Sequence, residues 1–268
     1  MMSRIIFTDL RRGQRKFSYI LLMGIVILLI ILLAVISFIF PGEGGKAARF
    51  ESLFTVIEVF IPFLVGIPVY QAVITDDFKS RTMQTAIGRG ISRQNLILAR
   101  FFEIILMLVE AFIVFSIVGA ITGLVLGMSG SSISIMVIKM WSSSFLIFAH
   151  LSIAMFLAFL ALNPTVGLVF YILFETNVFR LIFSLLDGIS FFKDNGIAIS
   201  EWIPSGLNSN FTQYTFGVER QEVLGTIIDA VPQDIGKGLL YGLALVGIYC
   251  ILPLVLSQVV FRKKELDF

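Results

Sequence analysis

Twenty-four consecutive residues, Phe17 to Phe40, carry no charge. A helix of that length reaches about 36 Å at ~1.5 Å per residue, enough to cross ~30 Å of hydrocarbon. In lipid every backbone N–H and C=O must find its partner inside the protein, so such a run folds as a helix. It predicts a first span at 17–40. The apolar core of a secretory signal is only about 7–15 residues long and precedes a small-residue cleavage site. Ser37 to Pro41 offers no such site, so the segment is expected to stay as an anchor. Similar runs predict spans at 53–74, 101–126, 133–162, 166–186 and 238–260. Strands of an outer-membrane barrel would instead alternate apolar and polar residues over short segments. The fold class that follows is an all-α membrane protein, a single transmembrane domain over 1–268 with six transmembrane helices.

Composition agrees. Of 268 residues, 57% are hydrophobic and 14% charged, against about 45–50% and 25% in soluble domains. A water-soluble enzyme is excluded on that ground, and a net charge of +2 leaves no nucleic-acid footprint. Cys250 is the sole cysteine, so no internal disulfide forms. His150 is the sole histidine, which removes most metal centres and catalytic triads, since these need a histidine with several partners at set spacing. No catalytic residue, metal or directly bound cofactor is expected.

Basic residues set the orientation. Arg4, Arg11, Arg12, Arg15 and Lys16 precede span one; Lys79, Arg81, Arg89, Arg93 and Arg100 lie between spans two and three; Arg262, Lys263 and Lys264 follow span six. These thirteen face only Lys46, Arg49, Lys193, Arg220 and Lys237 on the other side. Both termini are therefore expected to be cytoplasmic. Residues 1–16, with Ile5, Ile6, Phe7 and Leu10 opposite Arg4, Arg11 and Arg12, read as an interfacial elbow helix. The outer loop 187–237 carries Trp202, Phe211, Tyr214 and Phe216 and is expected to rest on the outer leaflet. Within it, Val223, Leu224, Ile227, Ile228 and Val231 recur at helical spacing, and Asn210-Phe211-Thr212 fits a glycosylation acceptor.

The stretch 74–93, which contains the segment 77–93, is the most informative. Acidic residues at its start, a short helix-capable run and a Gly-rich end match helix start and stop chemistry. A solvated basic loop accounts for the same charges, because cytoplasmic loops are basic in any case. The segment resembles one in the permease subunits of type-2 ABC exporters. Those show an acidic residue, a Gly-Thr five residues on, a short leucine-rich helix, a Pro-x-Ser-Arg turn and a basic residue seven further along. Here Asp77, Thr82, Ile91-Ser92-Arg93 and Arg100 stand at those positions, with Arg81 in place of the glycine and Gly90 in place of the proline.

The resemblance implies that 77–93 is a coupling segment, whose helix sits in a groove of a separate ATP-binding subunit. Asp77, Arg81, Thr82, Met83, Ala86, Ile87, Arg89 and Arg93 are then the coupling residues. Met83 and Ala86, three apart, share a face with Ile87 one step round and are expected to form the plug. No G-x-x-x-x-G-K-[ST] occurs in the sequence, so ATP and Mg²⁺ belong to an ATP-binding cassette dimer rather than to this chain. The other implied partners are a second permease copy, identical or related, and the lipid of a bacterial cytoplasmic membrane.

Glu58, Glu103, Glu110, Lys139, Glu175 and Arg180 fall inside the expected spans together with His150. Charges there are costly and face protein or water. They serve either as the polar lining of a translocation path or as pairs between helices, with Glu58, Lys139 and Arg180 toward the outer side. Gly119, Gly123 and Gly127 recur every fourth residue and mark a close helix contact, expected within the subunit. Pro62 and Pro68 are expected to kink span two. A transport permease for a hydrophobic or amphipathic peptide, drug or lipid fits best. An intramembrane enzyme using His150, or a scaffold or sensor without transport, are the alternatives.

Overall fold

The computed structural model describes residues 14, 17–42, 44–79, 82–88, 90–189, 198–217 and 234–263. Helix α1 spans Phe17–Ile39 and α2 spans Gly45–Tyr70, the latter continued by a π turn, Gln71–Thr75, and a last turn, Asp76–Lys79. Then come α3 (Thr82–Gly88), α4 (Arg93–Val125), α5 (Gly130–Ala161), α6 (Pro164–Glu175) and α7 (Val178–Asp187). A 3₁₀ turn, Ile199–Glu201, leads to α8 (Pro204–Phe216). Helix α9 (Ile235–Val246) passes through a π turn, Gly247–Ile251, into α10 (Leu252–Lys263). Among the described residues there is no strand, only an isolated bridge between Gly42 and Gly45.

Five of these helices, counting α9–α10 as one, are long and apolar enough to cross a membrane, and a sixth is added if α6 and α7 form one span. The protein is thus helical and suited to a bilayer. The continuous span expected at 166–186 is corrected: α6 and α7 meet at 57° across Thr176 and Asn177. Asn177 sits in the left-handed region at φ 56°, which an asparagine tolerates and a helix interior does not. Several helices also outrun their expected bounds. At 33 residues, α4 begins at Arg93 rather than 101, because its first two turns, polar outside, bury Leu96 and Ile97.

Local chemistry ends the helices. After α4, Gly127 takes φ 81° while Met128 N–H donates to Gly123 O at 2.9 Å, the left-handed closure that glycine permits. Ser129 Oγ then accepts from Ser132 N–H at 3.1 Å and caps α5. Helix α5 stops at Leu162, φ 53°. Asn163 Oδ1 accepts from Thr165 N–H at 2.9 Å, with Pro164 at the first helical position of α6, where its missing N–H costs nothing.

The described chain forms two compact units. The first comprises the described residues up to Asp76 together with Phe102–Ser144. There α1 packs along α2, and Ile30, Phe50, Ile61, Met107, Phe112, Phe115 and Met140 form the core. Tyr19 Oη donates to Met107 O at 3.1 Å, and Trp141 Nε1 donates to Ser116 Oγ at 3.1 Å. The second unit comprises Asp77–Phe101 and the chain from Phe145 onward. Its core includes Leu96, Ile97, Ile147, Leu151, Met155, Phe159, Tyr171, Leu207 and Phe261. In the first unit Leu28, Ile31 and Val35 of α1 remain exposed, and in the second Leu239, Leu240 and Leu243 of α9, each an apolar face suited to lipid.

The segment expected as an outer loop, 187–237, holds α8, which packs against α9 and buries Pro204, Ser205, Leu207, Asn208 and Thr212. Thr212 of the glycosylation triplet is among them, while Asn210, the acceptor itself, is half-buried. The interfacial stretch ahead of Gln14 and the periodic run Val223 to Val231 lie outside the described residues.

Candidate functional site

The segment between α2 and α4 is closed by a buried ion pair. Asp77 opens the segment from the last turn of α2, and Arg100 lies in the third turn of α4. Their side chains meet at 2.5 Å between Nε and Oδ2, with relative exposures of 3% and 0%. A buried charge persists only when paired, so the two residues hold the ends of the segment together. Between them Thr82–Gly88 forms α3, and Gly90, at φ 85°, accommodates the turn back to α4. Ile91 N–H donates to Ala86 O at 3.1 Å and Gly90 N–H to Ile87 O at 2.9 Å, closing the C-terminus of α3. Ser92 Oγ accepts from Asn95 N–H at 3.3 Å and starts α4.

Three of the residues expected to couple make contacts within the chain. Met83 is 3% exposed and turned into the protein, so it is not part of the expected plug. Asp77 pairs within the chain, and Arg93, the first residue of α4, donates from Nη1 to Phe261 O at 3.1 Å. Ala86 and Ile87 are half-buried, while Thr85 and Gly88 are exposed. The face of α3 that remains accessible is therefore small and centred on Thr85, Ala86 and Gly88. Thr82 begins α3, and Arg81 and Arg89 lie outside the described residues.

A second polar centre occupies the hairpin α5–α6. His150 stands eleven residues before the end of α5 at Ala161, and Glu175 eleven after the start of α6 at Pro164. Each is about 16 Å along its helix from the same turn, and an antiparallel hairpin brings them level. His150 Nδ1 lies 2.9 Å from Glu175 Oε1, with both side chains buried. Tyr171, one turn before Glu175, donates a hydrogen bond to the same carboxylate. The Phe174 ring stacks on the imidazole at 5.2 Å between centroids. Glu175 is also the last residue of α6, immediately before the 57° break. Sequence reasoning marked Glu175 and His150 separately; their equal distance from Leu162-Asn163 was the signal for the pair.

The other intramembrane charges divide by environment. Glu103 is buried, Glu110 accepts from Gln14 Nε2 at 2.7 Å, and Glu58, Lys139 and Arg180 are half-buried. Glycine contacts also sort themselves. In the first unit, a Cβ on Gly119 would lie 3.2 Å from Met136 Cε, and one on Gly123 would lie 3.0 Å from Met128 Sδ, whereas Gly127 serves the turn. Tighter contacts, missed in the sequence, lie in the second unit. A Cβ on Gly242 would come within 2.9 Å of the Phe211 ring, and one on Gly238 within 2.8 Å of Thr215 N. One on Gly206 would strike Ser200 O. The spacing Gly238-x-x-x-Gly242 was the available signal.

No protein-family model matches the sequence, and no curated protein matches it either.

Proposed function

We propose that the chain is the permease subunit of an ATP-driven exporter resembling the type-2 ABC class, working with a second permease copy and an ATP-binding cassette dimer. The observation that carries this reading is α3, a short helix between two long apolar ones whose flanks are joined by the buried Asp77–Arg100 pair. A helix held in that way is a stiff knob. Force applied to it reaches α2 and α4 instead of being absorbed by a loop, which is what alternating access driven from outside the chain needs. Its accessible face, Thr85, Ala86 and Gly88, has the small side chains that a groove accepts.

In this reading six crossings count α6–α7 as the fifth, both termini are cytoplasmic, and α8 is on the outer side. ATP and Mg²⁺ are held by the partner. The pathway, lined by some of the 27 phenylalanines and by sparse glutamates, suits a hydrophobic or amphipathic peptide, drug or lipid.

The test is Ala86→Arg in the full chain, co-expressed with the ATP-binding subunit. A guanidinium on the knob blocks the groove, so complex formation should weaken at least about tenfold, a change of ~1.4 kcal/mol. Membrane insertion should stay normal, because no span is altered. Undiminished complex formation and ATP-dependent transport by this variant would show that the segment is only a connection.

A further inference from the structure

Carbonyls in the last turn of a helix lack intrahelical donors, and α10 ends at Lys263, two residues past Phe261. Arg93 supplies a donor to Phe261 O, and its guanidinium lies 5.9 Å from the centroid of the Phe261 ring. A cation at that end also meets the favourable end of the helix dipole. The Phe261 side chain is fully buried, its ring 4.9 Å from Phe159 of α5, and Phe159 is 5.8 Å from Phe78. Phe78 and Arg93 flank the segment that carries α3. Both flanks therefore reach the same helix end, one through two aromatic rings and the other by a charged hydrogen bond. Further along, the π turn Gly247–Ile251 interrupts the regular ladder between α9 and α10.

We infer that Arg93 is a positioning residue that ties the α3 segment to the end of the last helix, so that displacement of α3 is passed to α10 as well as to α2 and α4. The use of the tie rests on the permease reading; the tie itself does not. An arginine meant for a partner would hold its donors outward, whereas Arg93 is half-buried and gives Nη1 to its own chain. The sequence separation of 168 residues makes this contact a bridge between the first half of the chain and its end.

The experiment has two arms on the full chain in lipid nanodiscs. With the chain alone, Arg93→Gln should speed hydrogen exchange about tenfold both in Thr82–Gly88 and in the last turn of α10, as expected for losing one charge-assisted hydrogen bond. Arg93→Lys, which keeps a charged donor, should restore most of the protection. If Arg93→Gln does not insert, Phe261→Leu keeps the carbonyl, removes the ring beneath the guanidinium and should give the same paired change at smaller size. Exchange altered in only one of the two segments, or in neither, overturns the tie.

With the ATP-binding subunit added, Arg93→Gln should retain the complex and its ATP hydrolysis. The ATP-dependent change in labelling of a cysteine at Ile235, the exposed first residue of α9, in a Cys250→Ser background, by an impermeant maleimide should fall about tenfold if one such bond transmits the motion. Loss of the complex would make Arg93 a partner contact, and an unchanged labelling response would deny it a positioning role. If the unaltered chain binds no ATP-binding subunit, the permease reading fails and the exchange arm still decides the tie.

Discussion

Two buried acid–base pairs in the second unit are built on opposite terms. Asp77 and Arg100 lie at the polar ends of helices, where a guanidinium meets a carboxylate out of water. His150 and Glu175 lie about 16 Å into a helical hairpin, and imidazole serves as a neutral or a charged donor according to its proton count. Tyr171 adds a second donor to the same carboxylate. The first pair joins a guanidinium to a carboxylate, the second an imidazole and a phenol to a carboxylate. The contrast teaches where each closure sits: a guanidinium–carboxylate pair joins the flanks of the α3 segment, while an imidazole and a phenol meet the carboxylate that precedes a helix break.

The largest effect is expected at the first pair. Asp77→Ala takes a carboxylate away from a buried guanidinium and should cost about 3–5 kcal/mol, read as a lowered midpoint of denaturant unfolding in detergent. Replacing both residues, Asp77→Leu with Arg100→Met, should recover most of the loss. A single variant as stable as the parent would break the comparison at once.

A packing control touches neither pair. Gly238→Ala pushes a methyl onto the Thr215 backbone, and overpacking of that kind costs about 1–3 kcal/mol. The loss should appear with local exposure of α8 in hydrogen exchange. An α8 unaffected by this change would mean that the α8–α9 contact is not a close one.

At the second pair, Glu175→Gln keeps an acceptor oxygen for both His150 and Tyr171 and should cost only about 1 kcal/mol. A loss as large as that of Asp77→Ala would mean that His150 and Glu175 are a charged pair too, and the contrast would fall.

The smallest effect is expected at Asp187, at the exposed end of α7. Its carboxylate accepts N–H bonds from Ile199 at 2.6 Å and Ser200 at 3.2 Å. Hydrogen bonds, first from the Ser200 side chain and then from the two backbone N–H groups, hold its carboxyl below the ordinary value, against the opposing effect of desolvation. A depressed folded value means that the contribution is complete above the ordinary range, near about pH 4, and is lost as pH falls through the folded value. Hydrogen exchange in Ile199–Glu201 should therefore accelerate in acid, beyond the intrinsic trend, and Asp187→Asn should remove that acceleration.

Membrane helices and turns were legible in the sequence because their causes are local. An uncharged run of sufficient length has no other way to satisfy its backbone in lipid, and Gly127 and Asn163-Pro164 end helices through their own dihedral preferences. The short helix of the α3 segment was legible for the same reason, in its acidic start and Gly-rich end. The partners were not. Asp77 with Arg100, His150 with Glu175 and Arg93 with Phe261 are matched by which helix faces meet, and a sequence apolar nearly all round its helices gives periodicity no contrast between a face against protein and a face against lipid. Met83 shows the consequence: its spacing from Ala86 allowed a shared outward face, and packing turned it inward. The break between α6 and α7 and the burial of α8 were likewise decided in three dimensions. Hydrophobicity determines that a segment leaves water, while close contact at Gly206, Gly238 and Gly242 determines what it lies against.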